Sequence, residues 1–190
     1  MPDRIPPTRR PTRAEVEAAE GLTVRGVLAP GLRVLFCGIN PGLYTAAVGH
    51  HFGRPGNRFW PTLHRAGFTP RLFSPYEERE LLALGYGITN LVARATATAD
   101  QLRPEELVAG GKLVRARVAR YRPRCLAVLG VTAYRVAFGR PKAALGPQPE
   151  RLSGALVWVL PNPSGLNAHY DLPKLAALFR AMAEAVAGER

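Results

Sequence analysis

The sequence predicts a three-layer α/β/α sandwich around a central, mainly parallel sheet, and two observations carry that reading. Four short apolar runs, 33–39, 86–91, 125–130 and 156–160, read as strands. Five stretches between and after them, 57–66, 75–84, 104–121, 132–138 and 172–187, carry apolar residues at three- and four-residue spacing and read as helices. Strands alternating with helices imply parallel crossovers, and so helices on both faces of one sheet.

In chain order, residues 1–13 are rich in Pro and Arg (Arg4, Arg9, Arg10, Arg13) and read as a flexible basic arm that touches phosphates, or as an inert tail. One domain, 14–190, follows. Thr12-Arg13-Ala14-Glu15 fits a capping box, predicting a short helix to about Glu20. The first strand ends abruptly at Gly38-Ile39-Asn40-Pro41-Gly42, and the last ends in Pro161-Asn162-Pro163-Ser164-Gly165-Leu166. Two Asn-Pro loops thus reach one edge of the sheet. Pro61 and the pair Gly110-Gly111 weaken the helices that contain them. In open α/β sheets the ligand crevice lies outside the carboxyl ends of the strands. That rule selects the loops 40–57, 90–100 and 162–170, the loop after Gly130 being too short to contribute much.

A length of 190 residues with 47% hydrophobic content suits one globular domain with one core. No apolar run approaches the roughly 20 residues needed to span a bilayer, and the first residues lack a signal-peptide apolar core, so a cytoplasmic protein with no membrane association is expected. The formal charge is +12, and the basic residues are 23 Arg against 3 Lys. Arg binds phosphate in a planar, bidentate way, which favours a nucleic-acid backbone as partner; a compositional bias toward Arg is the other source. Cys37 and Cys125 lie inside apolar runs without CxxC spacing and read as buried reduced thiols. The four His show no paired-ligand spacing, so neither a metal nor a cofactor is expected.

Neither GxGxxG nor GxxxxGK[ST] appears, and GxSxG is absent too, which leaves dinucleotide, P-loop and serine-hydrolase chemistry without support. What remains in the loops is an amide, an aromatic ring and small residues. Asn40 can accept a hydrogen bond from a water through its carbonyl oxygen and so aim it, though an amide cannot take the proton. Phe52 offers a flat apolar face to a planar ligand such as a base, and Asn90 a group to read its polar edge. Set against these, an Asn before Pro often only closes a turn, and a lone Phe is often core.

The strings GINPGL (38–43), FGRPGNRFW (52–60), GITNLVARAT (87–96) and LPNPSGL (160–166) recur in an order that resembles the mismatch-specific uracil/thymine DNA glycosylase family. The resemblance implies a uracil-DNA glycosylase-like fold and a repair enzyme that hydrolyses the N-glycosidic bond of uracil, chiefly opposite guanine in duplex DNA. By position it implies that Asn40 holds the attacking water, that the Ile39 and Phe52 backbones with the Phe52 ring form the base pocket, and that Gly165-Leu166-Asn167, with the small Ser164 beside it, is the wedge. Two positions depart from the family's bacterial pattern. Asn167 follows Gly-Leu where that pattern has Arg, and Asn90 stands where the bacterial branch has Lys and the thymine-active branch has Asn. A substrate range reaching thymine or modified cytosines is the resulting expectation.

Of the acidic residues, Asp100 and Asp171 fall in or just beyond these loops. Asp100 would stabilise a sugar cation or activate water, or else serve as a turn or helix cap before Pro104. No Lys lies in the three loops, so a monofunctional enzyme that leaves an abasic site to downstream repair enzymes is expected, acting as a monomer. Two Cys cannot supply the four thiolates of an iron-sulfur branch. The remaining alternative is a noncatalytic DNA-binding module in which the basic surface does everything.

Overall fold

The computed structural model describes residues 9–189. Five strands, β1 (Val34–Gly38), β2 (Tyr86–Asn90), β3 (Cys125–Leu129), β4 (Gly146–Leu152) and β5 (Ala155–Leu160), form one sheet in the order β2-β1-β3-β5-β4. Every pairing is parallel except β4 with β5. The β1–β2 register sets Gly38 opposite Asn90, so the two strands end level at the carboxyl edge.

Alternation along the strands divides the core. Val34 and Phe36 of β1, with Ile88, Ala127, Leu129 and Leu160, face α3 (Phe59–Arg65) and α6 (Leu172–Gly188). Leu35 and Cys37, with Leu126, Val128, Val157 and Val159, face α4 (Pro104–Tyr121) and α5 (Val131–Phe138). The four parallel strands are mostly apolar because both of their faces are covered. Phe36 lies at the centre of the first layer, its ring 5.5 Å from Phe59 and 5.9 Å from Phe179. Burying one such side chain contributes about 1.5–3 kcal/mol.

The four predicted strands are present within a residue of their expected bounds, and the three-layer architecture is as expected. The fifth strand, β4, was not anticipated. Its sequence, GPQPERL, has two prolines and no apolar run, and it pairs on one side only, at the sheet edge where proline is tolerated. Expected helix 75–84 is wound instead as 3₁₀ turns (Pro75–Leu84), which set Glu78 and Leu81, three residues apart and both buried, on one face. Expected helix 57–66 starts at Phe59, and the long loop after β1 contains a short helix, α2 (Leu43–Val48).

The glycines of α4 have a packing reason. A Cβ on Gly110 would sit 2.4 Å from the Leu91 carbonyl oxygen, and one on Gly111 would sit 2.0 Å from that of Ala137. The pair lets α4 press directly on the β2 exit and on α5. Near the amino terminus, the Thr12–Glu15 capping box opens α1 (Arg13–Glu17), which stops at Glu17, with Ala18 as its C-cap, short of the expected Glu20. Residues 1–8 of the expected basic arm lie outside the described residues; of the rest, Arg9 pairs with Glu15 and Arg13 with Glu17. Both cysteines are free and buried. Among the described residues no helix is long and apolar enough to cross a membrane.

Candidate active site

The loops leaving β1 and β2 run on together past the sheet edge. The Leu91 amide donates to the Gly38 carbonyl (2.9 Å), Val92 to Ile39 (2.9 Å) and Thr96 to Pro41 (3.2 Å). This zipper brings Thr96 to Asn40. Asn40 Nδ2 donates to Thr96 Oγ1 at 2.7 Å and to the Arg94 carbonyl at 3.1 Å. Thr96 Oγ1 spends its proton on the Thr98 carbonyl (2.8 Å), so toward Asn40 it only accepts. Both neighbours are acceptors, which fixes the amide with its NH₂ inward. Among the described residues Oδ1 has no hydrogen-bond partner, and Asn40 lines the cleft. Arg94 is itself anchored by a bidentate pair to Glu106 on α4 (2.6 and 2.9 Å).

The cleft has a volume of about 400 Å³, within the range that holds a small planar ligand. Ile39, Asn40, Phe52, Asn90, Ser164, Leu166 and Asn167 all line it. A Cβ built on Gly38 would lie 2.5 Å from Asn90 Oδ1 and 3.4 Å from Phe52 Cζ, so those two side chains meet over the Gly38 backbone. Arg117 of α4 steadies the end of β2, donating to Thr89 Oγ1 (2.9 Å) and the Asn90 carbonyl (3.0 Å).

Phe52 holds a left-handed backbone, φ 54°, which is uncommon away from glycine. Two contacts secure it. Its ring stacks on Phe59 at 3.9 Å, and the preceding residue is gripped by the buried Glu78 carboxylate. That carboxylate accepts the His51 amide (2.8 Å), His51 Nδ1 (2.9 Å) and His50 Nδ1 (3.0 Å). Burial pushes the Glu78 carboxyl up, but the hydrogen bonds from His50 and His51 outweigh it and hold it at about 2. An ionised carboxylate only accepts, so both Nδ1 atoms carry protons.

The loop after β5 forms the far wall. Leu166 stands at its tip, 73% exposed, an unusual setting for a large apolar side chain. Gly165 is beside it, outside the lining, against the Gly56 carbonyl. Asn167 is turned inward, donating to the Asn162 carbonyl (3.1 Å) and accepting from the His169 amide (3.2 Å). Asp100 is exposed in a short 3₁₀ turn (Ala99–Gln101) and is not among the lining residues; the residue that caps α4 is Arg103. Asp171 caps α6 through the Lys174 amide. Among the described residues no carboxylate lines the cleft, and the polar side chains that do are amides, hydroxyls, His51 and Arg54.

Sequence reasoning passed over Thr96, His51 and Arg58. Thr96 lies inside GITNLVARAT, yet the contact that gives it meaning depends on the zipper between two loops. The histidines gain theirs only once Glu78 is brought beside them.

The same fold occurs in the solution NMR structure of the "putative Uracil DNA glycosylase" from Methanosarcina acetivorans. That structure superposes with a TM-score of 0.54 at 19% identity, over 85% of this chain and 98% of the other. The model of the Uracil DNA glycosylase superfamily matches residues 25–187, a span that takes in the whole sheet and all three loops of the cleft, and the chain therefore belongs to that superfamily.

Proposed function

We propose that this protein is a monofunctional DNA glycosylase that flips uracil out of G·U mispairs in duplex DNA and hydrolyses its N-glycosidic bond. Superfamily membership supports uracil excision in general. The observation that carries the finer reading is the Asn40 amide, held by Thr96 and Arg94 with Oδ1 unpartnered among the described residues. A water donating one hydrogen bond to Oδ1 has its lone pair free for attack on C1′ of the sugar. The N1–C1′ bond breaks with its electron pair leaving on uracil, the sugar passes through an oxocarbenium-like state, and the water's proton goes to solvent. Asn40 positions and polarises but takes no proton. Holding the nucleophile in line is a sufficient role, since misplacement by about 1 Å costs roughly 10²-fold in rate.

The pocket suits a planar pyrimidine. Phe52 supplies a face for stacking, Asn90 an amide for the polar edge, and the Ile39 and Phe52 backbones its walls. A base inside the stack is beyond reach, and extrusion costs a few kcal/mol, least for a mispair. Leu166 is the apolar wedge that fills the vacated space, with Ser164 and Gly165 small enough to let the backbone approach. Asn90 extends the range toward thymine and modified cytosines. Asp100, next in the chain to the lining residue Ala99, acts on the sugar cation only if the loop closes over DNA. The product is an intact abasic site, handed to the enzymes that process it.

Single-turnover excision on G·U, A·U and G·T duplexes and on single-stranded uracil tests this. We expect G·U to be fastest, Asn40→Ala to lose about 10²-fold or more with DNA affinity retained, and borohydride to trap no covalent complex. No excision on any substrate, or an Asn40→Ala rate equal to wild type, overturns the reading. Asp100→Ala at the wild-type rate removes Asp100 from the mechanism.

A further inference from the structure

Arg58 sits at the start of α3, in the FGRPGNRFW segment, and its guanidinium reaches across to the loop that carries Leu166. Nη2 donates to the Ser164 carbonyl (2.5 Å) and the Asn167 carbonyl (2.7 Å), and Nη1 donates to the Tyr170 carbonyl. The Arg58 amide adds a bond to the Pro163 carbonyl at 2.9 Å. One residue therefore makes four hydrogen bonds to main-chain carbonyls spread over eight consecutive positions, 163–170. Among the described residues Arg58 has no carboxylate partner, and its Nε is buried without an acceptor. A planar fork with a fixed set of donors suits this task; an ammonium does not.

From this geometry we infer that Arg58 is a positioning residue that holds the 163–170 loop in the shape needed to open duplex DNA. The functional half of the inference rests on the base-excision reading. Leu166 is 73% exposed and also lines the cleft. An unrestrained loop would let that side chain leave water by folding onto the apolar surface of Phe52 and Leu129, which line the same cleft. The wedge would then be withdrawn and the base pocket blocked by its own chain. The bonds within the loop are local: Asn162 Oδ1 with the Ser164 amide (3.0 Å), Ser164 Oγ with the Leu166 amide (3.3 Å), and Asn167 with the Asn162 carbonyl (3.1 Å). They shape the turn but do not tie it to the body of the protein. Arg58 ties it, by three carbonyls at once. Ordering the loop before DNA arrives removes that entropic cost from the encounter.

The clamp should therefore matter in proportion to the work the wedge must do. Two substrates separate that work from the chemistry: a G·U duplex, whose stack must be opened, and the same duplex with uracil opposite an abasic analogue, where no base pair is broken. For Arg58→Met, which keeps the stem and removes the donors, we expect single-turnover excision to fall about tenfold or more on G·U and less than threefold on the unpaired uracil. Arg58→Lys should fall in between. In the free protein, amide hydrogen exchange at 164–170 should quicken in Arg58→Met while the sheet and α6 stay protected. Equal losses on the two substrates, or no loss on G·U, overturn the inference. If Arg58→Met unfolds, Arg58→Lys decides by the same ratio. If wild type excises uracil from neither duplex, the base-excision reading fails by itself, and unchanged exchange at 164–170 would still overturn the clamp.

Discussion

Replacing Thr96 by Val tests the proposed role of Asn40 without touching Asn40. The hydroxyl accepts from Asn40 Nδ2 at 2.7 Å and donates to the Thr98 carbonyl at 2.8 Å. Val keeps the shape of a side chain that is only 1% exposed, so the pocket stays filled. What is lost is one of the two acceptors that hold the amide, together with the bond to the Thr98 carbonyl. The other, the Arg94 carbonyl at 3.1 Å, still repels Oδ1 and so still favours the working orientation. Losing one neutral hydrogen bond costs about 1 kcal/mol, and 1.36 kcal/mol is a factor of ten in rate, so excision from G·U should fall about fivefold. Thr96→Ser, which retains the hydroxyl, should stay within about twofold of wild type on the same hydrogen-bond argument. Losing both hydroxyl bonds costs about 2 kcal/mol of stability, which in a domain of this size lowers Tm by about 4–8 °C, and a melting curve checks that the variant is folded at the assay temperature. Because Thr96 works through Asn40, Asn40→Ala/Thr96→Val should be no slower than Asn40→Ala alone. A wild-type rate in Thr96→Val, an equal loss in Thr96→Ser, or additivity in the double variant would refute the reasoning.

Three further outcomes follow from the packing. Gly111→Ala would place a Cβ 2.0 Å from the Ala137 carbonyl oxygen, so α4 and α5 must separate; urea unfolding should show a loss of about 3 kcal/mol or more. Glu78, lowered to about 2, contributes stability that is complete above its ordinary value of 4.5 and lost as pH falls toward 2. Denaturation curves across that window should show wild type losing more stability than Glu78→Gln does, the remaining slope coming from Glu15 and Glu106, which are lowered over the same range. Burial pushes the thiols of Cys37 and Cys125 up to about 12, so a disulfide reagent at neutral pH should label neither in the native protein and both on unfolding; fast native labelling would contradict their burial.

How far the sequence discloses this molecule depends on whether a contact is made by side chains in a periodic pattern or by main chain at a junction. β1, β2, β3 and β5 are legible because each is covered on both faces, so that every residue of a run such as Val34-Leu35-Phe36-Cys37 is apolar. β4 is not, because an edge strand bonded on one side tolerates Pro147 and Pro149 and alternates between exposed and half-buried positions. The same division runs through the candidate site. Asn40 and Asn90 stand out as amides where apolar runs end, Phe52 as a lone aromatic in a loop of small and polar residues, and all three line one cleft. The partners that give them their geometry do not stand out. Thr96 reaches Asn40 through a ladder of amide-to-carbonyl bonds between two loops, and such bonds place no demand on side-chain identity. Arg58 is one of 23 arginines in a chain whose basic residues otherwise suggest only a phosphate surface. Its acceptors are carbonyls more than a hundred positions away, and a carbonyl is present at every residue. A motif thus marks the groups that meet the substrate, while the groups that hold them in place are recognised only when the fold brings them together.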